Sequence, residues 1–119
     1  MKIYIATPVN ARKEATLIEK QRAALARVNE LKTKVLELHP SATILSSVGN
    51  IVIARKGLPE REAAIMGSCV RMVMESDIIV LDRGWWDSKG CNVEKFTAET
   101  YGKQIWEIDQ FDEIKLFGI

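Results

Sequence analysis

Apolar positions along this chain alternate between short β-type runs and longer helix-type stripes. Lys2 to Ala6 (KIYIA) is β-branched and aromatic, is stopped by Thr7-Pro8, and predicts a buried strand. From about Asn10 to Leu38 the period changes. Leu17, Ile18, Gln21, Leu25, Val28, Leu31, Val35 and Leu38 recur three or four apart among Lys, Arg and Glu. That spacing predicts a long amphipathic helix, stopped by His39-Pro40-Ser41. A helix over the whole stretch would be about 42 Å long at 1.5 Å per residue. A domain of this size offers roughly 30 Å. Asn10 to Lys13 are therefore expected to be partly loop, or the helix to overhang and pack against another subunit.

Thr43 to Ser46 predicts a second strand. Ser47 to Leu58, punctuated by Gly49, Asn50 and Gly57, reads as a lid or binding loop. Pro59 suits the first position of a second helix to about Glu75, with Met66, Cys69, Val70 and Val73 inward. Asp77 to Leu81 is a third strand. A third helix from about Gly90 to Tyr101 ends at Gly102, and Gln104 to Ile108 is a fourth strand. The tail, Glu113 to Ile119, reads as a fifth. Only Asp109 to Asp112 precede it, and a parallel crossover needs about ten residues or more. The tail therefore pairs antiparallel with strand four or reaches elsewhere, including onto a neighbouring chain. The alternation implies a single α/β domain over 1–119. Its expected form is a flavodoxin- or Rossmann-like three-layer sandwich, a mainly parallel sheet of four or five strands with helices on both faces. Ligands in such sheets sit beyond the carboxyl ends of the strands, where strand order reverses. Those ends are Thr7-Pro8, Ser46-Ser47 and Asp82 to Gly90.

Composition narrows the partners. An apolar fraction of 47% and 28% charged residues fit one soluble domain of 119 residues. A net charge of +1 gives no electrostatic case for nucleic acid or an anionic membrane. Two cysteines, Cys69 and Cys91, make no disulfide framework and suggest a reducing compartment, so the expected location is cytoplasmic. The N-terminal apolar run is too short for a signal sequence, and no run approaches the roughly 20 residues of a membrane span. Metal and cofactor are not expected. His39 is the only histidine, no Cys–His ligand set exists, and neither GxGxxG, a P-loop nor a nucleophile elbow occurs.

Candidate chemistry concentrates in Ser76 to Glu94, SDIIVLDRGWWDSKGCNVE. With Val93, Phe96, Thr97 and Thr100 taken as the inward face of its helix, Glu94 falls on the margin of that face, in the first turn. The helix dipole favours an ionised acid there, and an ionised, partly buried carboxylate is what attack on a sugar carbon requires. Complementing the dipole is the alternative role. Gly84 and Gly90 allow close approach of a ligand to the backbone, and Ser88 either caps the helix or donates to a phosphate. Of Trp85 and Trp86, one ring is free to stack on a base while the other packs, unless both cover a sheet edge or subunit contact.

These residues resemble the nucleoside 2-deoxyribosyltransferase-like superfamily, above all its small bacterial and phage branch. The resemblance rests on KIYIATP, on SDIIVLD, and on Gly84, Trp85, Ser88, Gly90 and Glu94, which match a Gly-Trp-x-x-Ser-x-Gly-x-x-x-Glu signature. It implies that Glu94 attacks the anomeric carbon of a 2-deoxyribose and that the sugar passes to another base or to water. It further implies that Ser88, six residues earlier, touches a 5′-phosphate and that Tyr4 in strand one lines the sugar pocket, with Thr7 after that strand as a further substrate contact. Homodimers or larger assemblies are implied too. One departure stands out. Where the superfamily carries an aspartate that helps protonate the leaving base, this chain has Cys69. Asp82 and Asp87 are the remaining candidates for that proton. Three readings result: a glycosidase or transferase acting on a nucleotide or nucleoside, a nucleotide-binding module without turnover, and an oligomeric accessory protein.

Overall fold

In the computed structural model, which describes residues 1–9, 13–14, 16–48 and 59–118, the sheet is built outward from β1 (Lys2–Ala6). β1 pairs in parallel with β2 (Thr43–Ser46) on one side and β3 (Ile78–Leu81) on the other. β4 (Gln104–Ile108) adds in parallel to β3, and β5 (Ile114–Leu116) closes that edge antiparallel to β4. The order is β2-β1-β3-β4-β5, so the strand order reverses between β1 and β3. Three helices are present among the described residues: α1 (Leu17–Leu38), α2 (Pro59–Glu75) and α3 (Lys89–Thr100).

Ile3 to Ala6 and Ile78 to Leu81 are all buried, as central parallel strands must be when helices cover both faces. Side-chain alternation splits the core in two. Ile3, Ile5, Ile78 and Val80 pack with Ala24, Val28, Leu31 and Val35 of α1. Tyr4, Ala6, Ile79 and Leu81 pack on the opposite face with Val73 of α2 and with Cys91 and Ala98 of α3. The architecture is the expected Rossmann-like sandwich, with a mainly parallel sheet and helices on both faces.

Three details differ from the periodicity reading. α1 starts at Leu17, where Thr16 Oγ1 accepts the Glu19 N–H at 3.2 Å. Its 22 residues span about 33 Å, within the molecule's 37 Å long axis. Asn10 to Arg12 lie outside the described residues. The buried stripe of α1 is also narrower than expected, since Ile18, Leu25 and Leu38 are each more than half exposed. Finally, the fifth strand is antiparallel to β4, one of the two expected arrangements, but shorter than the stretch 113–119. The expected lid at 49–58 lies outside the described residues, while Ser47 and Val48 at its start are buried. No helix among the described residues is long and apolar enough to cross a membrane.

Candidate active site

The chain leaves β3 at Asp82 and turns through Gly84, whose φ of 86° strains any L side chain. Pro8 Cγ lies 3.7 Å from where a Cβ on Gly84 would stand, so this turn packs against the exit of β1. A short 3-10 turn, Trp85–Asp87, leads to Ser88. Ser88 caps α3, its Oγ accepting the Cys91 N–H at 3.2 Å. Capping uses the hydroxyl as acceptor and leaves its proton available. At Gly90 an added Cβ would make only ordinary contact, 3.8 Å from Met66 Cε, so packing does not demand glycine.

With Ser88 as the cap, Glu94 falls in the second turn of α3, not the first. The dipole weakens within one turn and so is not what governs this carboxyl. Its place on the helix also differs from expectation. The buried face is Cys91, Glu94, Thr97 and Ala98, whereas Val93, Phe96 and Thr100 are exposed. Glu94 sits within the buried face, 5% exposed.

There it meets Tyr4, which is fully buried in the middle of β1 and donates its O–H to Glu94 Oε2. The Tyr4 oxygen also lies 2.8 Å from Ser47 Oγ. A phenol has one proton, and the carboxylate is the stronger acceptor, so Ser47 donates to Tyr4. The Cys69 thiol of α2 is buried beside this cluster, close enough to feel the Glu94 charge. Burial pushes the Glu94 carboxyl up to about 7, and the Tyr4 hydrogen bond offsets only part of that. The expected permanently ionised acid is therefore a group divided between two forms near neutrality. Burial, then the adjacent Glu94, raise the Tyr4 phenol well above its ordinary value. Burial likewise raises Cys69, and pushes the Cys91 thiol up to about 12 with help from the Glu94 charge.

Asp82 has a different task. It is 2% exposed and gripped by Arg27 of α1, whose Nε lies 3.1 Å from both carboxylate oxygens and whose Nη2 lies 3.0 Å from Oδ1. The Arg83 N–H adds a bond of 2.8 Å to Oδ1. The same guanidinium reaches Asp112 in the β4–β5 turn, Nη2 to Oδ1 at 2.5 Å. Asp82 thus fastens α1 and that turn to the end of β3. Asp87 is exposed at the end of the 3-10 turn. Neither aspartate, the two expected stand-ins for an acid at Cys69, is hydrogen-bonded to Glu94, Tyr4 or Ser47 among the described residues.

The tryptophans divide their work. Trp85 packs edge-on against Trp86 and Phe117, with Lys95 Nζ 5.4 Å from its ring centroid. Trp85, expected among the substrate contacts, is thus partly buried in an aromatic cluster. Trp86 is 59% exposed and lines an open groove of about 390 Å³ with Arg83, Phe111 and Lys115. Thr7 is buried after β1, and its Oγ1 has no hydrogen-bond partner among the described residues. Two participants escaped the sequence reading. Ser47 carries no signal beyond its place at a strand's carboxyl end. Arg27 had one: it lies three after Ala24 and four before Leu31, on the edge of the buried stripe, where a lone cation implies a buried partner.

Fold and site together define a Rossmann-like α/β protein with a buried glutamate–tyrosine pair where the strand order reverses. The chain belongs to the family described as Domain of unknown function (DUF4406), which matches residues 1–107. No curated protein and no solved structure matches it.

Proposed function

We propose that this protein cleaves the N-glycosidic bond of a nucleotide or nucleoside, in the manner of the nucleoside 2-deoxyribosyltransferase-like superfamily, with Glu94 as nucleophile. The observation that carries the reading is the buried Glu94 carboxyl held by Tyr4 beside the switch point of the sheet. Ionised Glu94 attacks the anomeric carbon, the base leaves, and the glycosyl ester passes its sugar to water or to a second base. Tyr4 fixes the carboxylate from below. The Ser88 hydroxyl proton and the amides of Lys89 and Gly90, which have no partner within the helix, suit a 5′-phosphate. Free, buried thiols fit a cytoplasmic location.

Mass spectrometry after incubation with 2-deoxynucleoside monophosphates tests this. Free base and a glycosyl adduct on Glu94, both absent in Glu94→Ala, are the expected results. Unchanged nucleotides in every case would refute it. The thiol of Cys69 favours a second reading, nucleotide binding without turnover. Its signature is a ligand-induced rise in melting temperature with no product. Self-association belongs to the proposal as well, through the exposed Val93 and Phe96 of α3.

A further inference from the structure

We infer that the groove beyond the carboxyl ends of β3 and β4 is a second ligand site, separate from Glu94, for a planar aromatic phosphate of the size of a nucleoside monophosphate. It runs between the turn that carries Trp86 and the β4–β5 hairpin, and Arg83, Glu107, Asp109, Phe111 and Lys115 line it with Trp86. Its volume of about 390 Å³ falls at the lower end of small-ligand pockets. Both walls present aromatic rings to solvent. Trp86 is more than half exposed, and Phe111, at 74%, is the most exposed large apolar side chain among the described residues. A single exposed ring needs no explanation, but two lining one concavity form a surface on which a flat ring stacks. Both walls are also fixed before a ligand arrives. Asn92 Nδ2 donates to the Trp86 carbonyl at 3.2 Å, and Trp85 packs edge-on against the Trp86 ring. In the hairpin, Asp109 Oδ1 accepts the N–H groups of Phe111 and Glu113 at 2.8 and 3.0 Å, and Lys34 Nζ donates to the Asp112 carbonyl at 3.0 Å. Walls ordered in advance reduce the entropy lost on binding.

Charge sets the sign of the ligand. Of the two acids in the lining, Asp109 is turned to the amides of its own hairpin, and Glu107 has Lys115 opposite it in the sheet, 3.8 Å away. Arg83, half exposed, is the loosest member of the ionic cluster beside the groove. Its Nη2 lies 3.6 Å from Asp112 Oδ1, an oxygen that Arg27 Nη2 already approaches to 2.5 Å. Arg83 therefore gives up little in turning to a ligand, and its planar guanidinium matches a phosphate with two parallel N–H groups. A ring against Trp86 and Phe111 with its phosphate on Arg83 satisfies both parts of the groove. None of these residues belongs to the Glu94 cluster, so the second site stands whether or not Glu94 acts on a sugar.

NMR titration of the ¹⁵N-labelled protein tests this, with adenosine 5′-monophosphate, adenosine and benzyltrimethylammonium as probes. The indole N–H signal of Trp86 is identified by its loss in Trp86→Phe. We expect the monophosphate to shift that signal and the amides of Phe111 and Lys115 to saturation. Adenosine, which keeps the ring and lacks the anion, should bind there at least about 10-fold more weakly. Arg83→Gln should bring the monophosphate down to the level of adenosine, and the wild-type comparison of the two probes stands even if that variant does not fold. Groove signals that stay in place with every probe, or shifts confined to Tyr4 and α3, would overturn the second site. Equal affinities for monophosphate and adenosine, tighter binding of benzyltrimethylammonium, or an unchanged monophosphate affinity in folded Arg83→Gln would overturn the phosphate on Arg83.

Discussion

Glu94 places stability and reactivity in opposition. Its carboxyl is pushed up to about 7 in the folded chain, against a reference near 4.3 when unfolded. The folded state therefore keeps a proton that the unfolded state has released. Stability falls as pH rises from about 4.3 to about 7 and levels off beyond it. The total is on the order of 4 kcal/mol at about 1.4 kcal/mol per unit. Glu94→Gln, which keeps an acceptor for Tyr4, is expected to be more stable than wild type at pH 8, with the difference closing towards pH 4. Urea melts at the two pH values measure this, and a difference independent of pH would contradict it. The proposed glycosyl transfer needs the opposite form, so its turnover is expected to fall below pH 7. Tyr4→Phe removes the bond that favours the ionised carboxylate, so it moves the midpoint of the pH–rate profile upward and costs about 1 kcal/mol of stability. A midpoint that stays in place would remove Tyr4 from this role.

Helix α1 matters to the site through one side chain. Arg27 joins it to Asp82 at the end of β3 and to Asp112 beyond β4. Arg27→Met leaves the 3%-exposed Asp82 carboxylate without its cation, and breaking such a buried pair costs about 3–5 kcal/mol. Asp112→Asn, which keeps a residue that tolerates the left-handed backbone at φ 62°, removes only the charge of the partly exposed branch, worth at most about 1 kcal/mol. Chemical denaturation of the two variants separates them, and equal small losses would mean that the pair does not fasten the helix. The same elements show what the sequence made legible. β1 and β3 could be read because runs such as IYIA and IIVL suit only a strand buried on both sides. The burial of α3 could not, because its inner face is Cys91, Glu94, Thr97 and Ala98 while Val93 and Phe96 point outward. Hydrophobic periodicity assigns the apolar residues inward, and it fails where an inner face is given over to a polar site.

At the scale of the whole molecule, Phe96 at 70% exposure is the largest apolar group presented by α3. If α3 forms the proposed subunit contact, Phe96→Ser yields monomers in sedimentation. It should cost less than about 0.5 kcal/mol within each chain, as surface changes do. An unchanged sedimentation coefficient would exclude α3 from the contact. The sheet has a consequence of another kind. Tyr4 lies on the strand bonded along both edges, β1 between β2 and β3, and backbone amides in such a position exchange with solvent only when the whole domain opens. The group that holds the proposed nucleophile is therefore expected to belong to the slowest-exchanging unit of the chain. The tyrosine half of the glutamate–tyrosine pair is expected to hold its place until the sheet itself unfolds, at the denaturant midpoint of the whole domain.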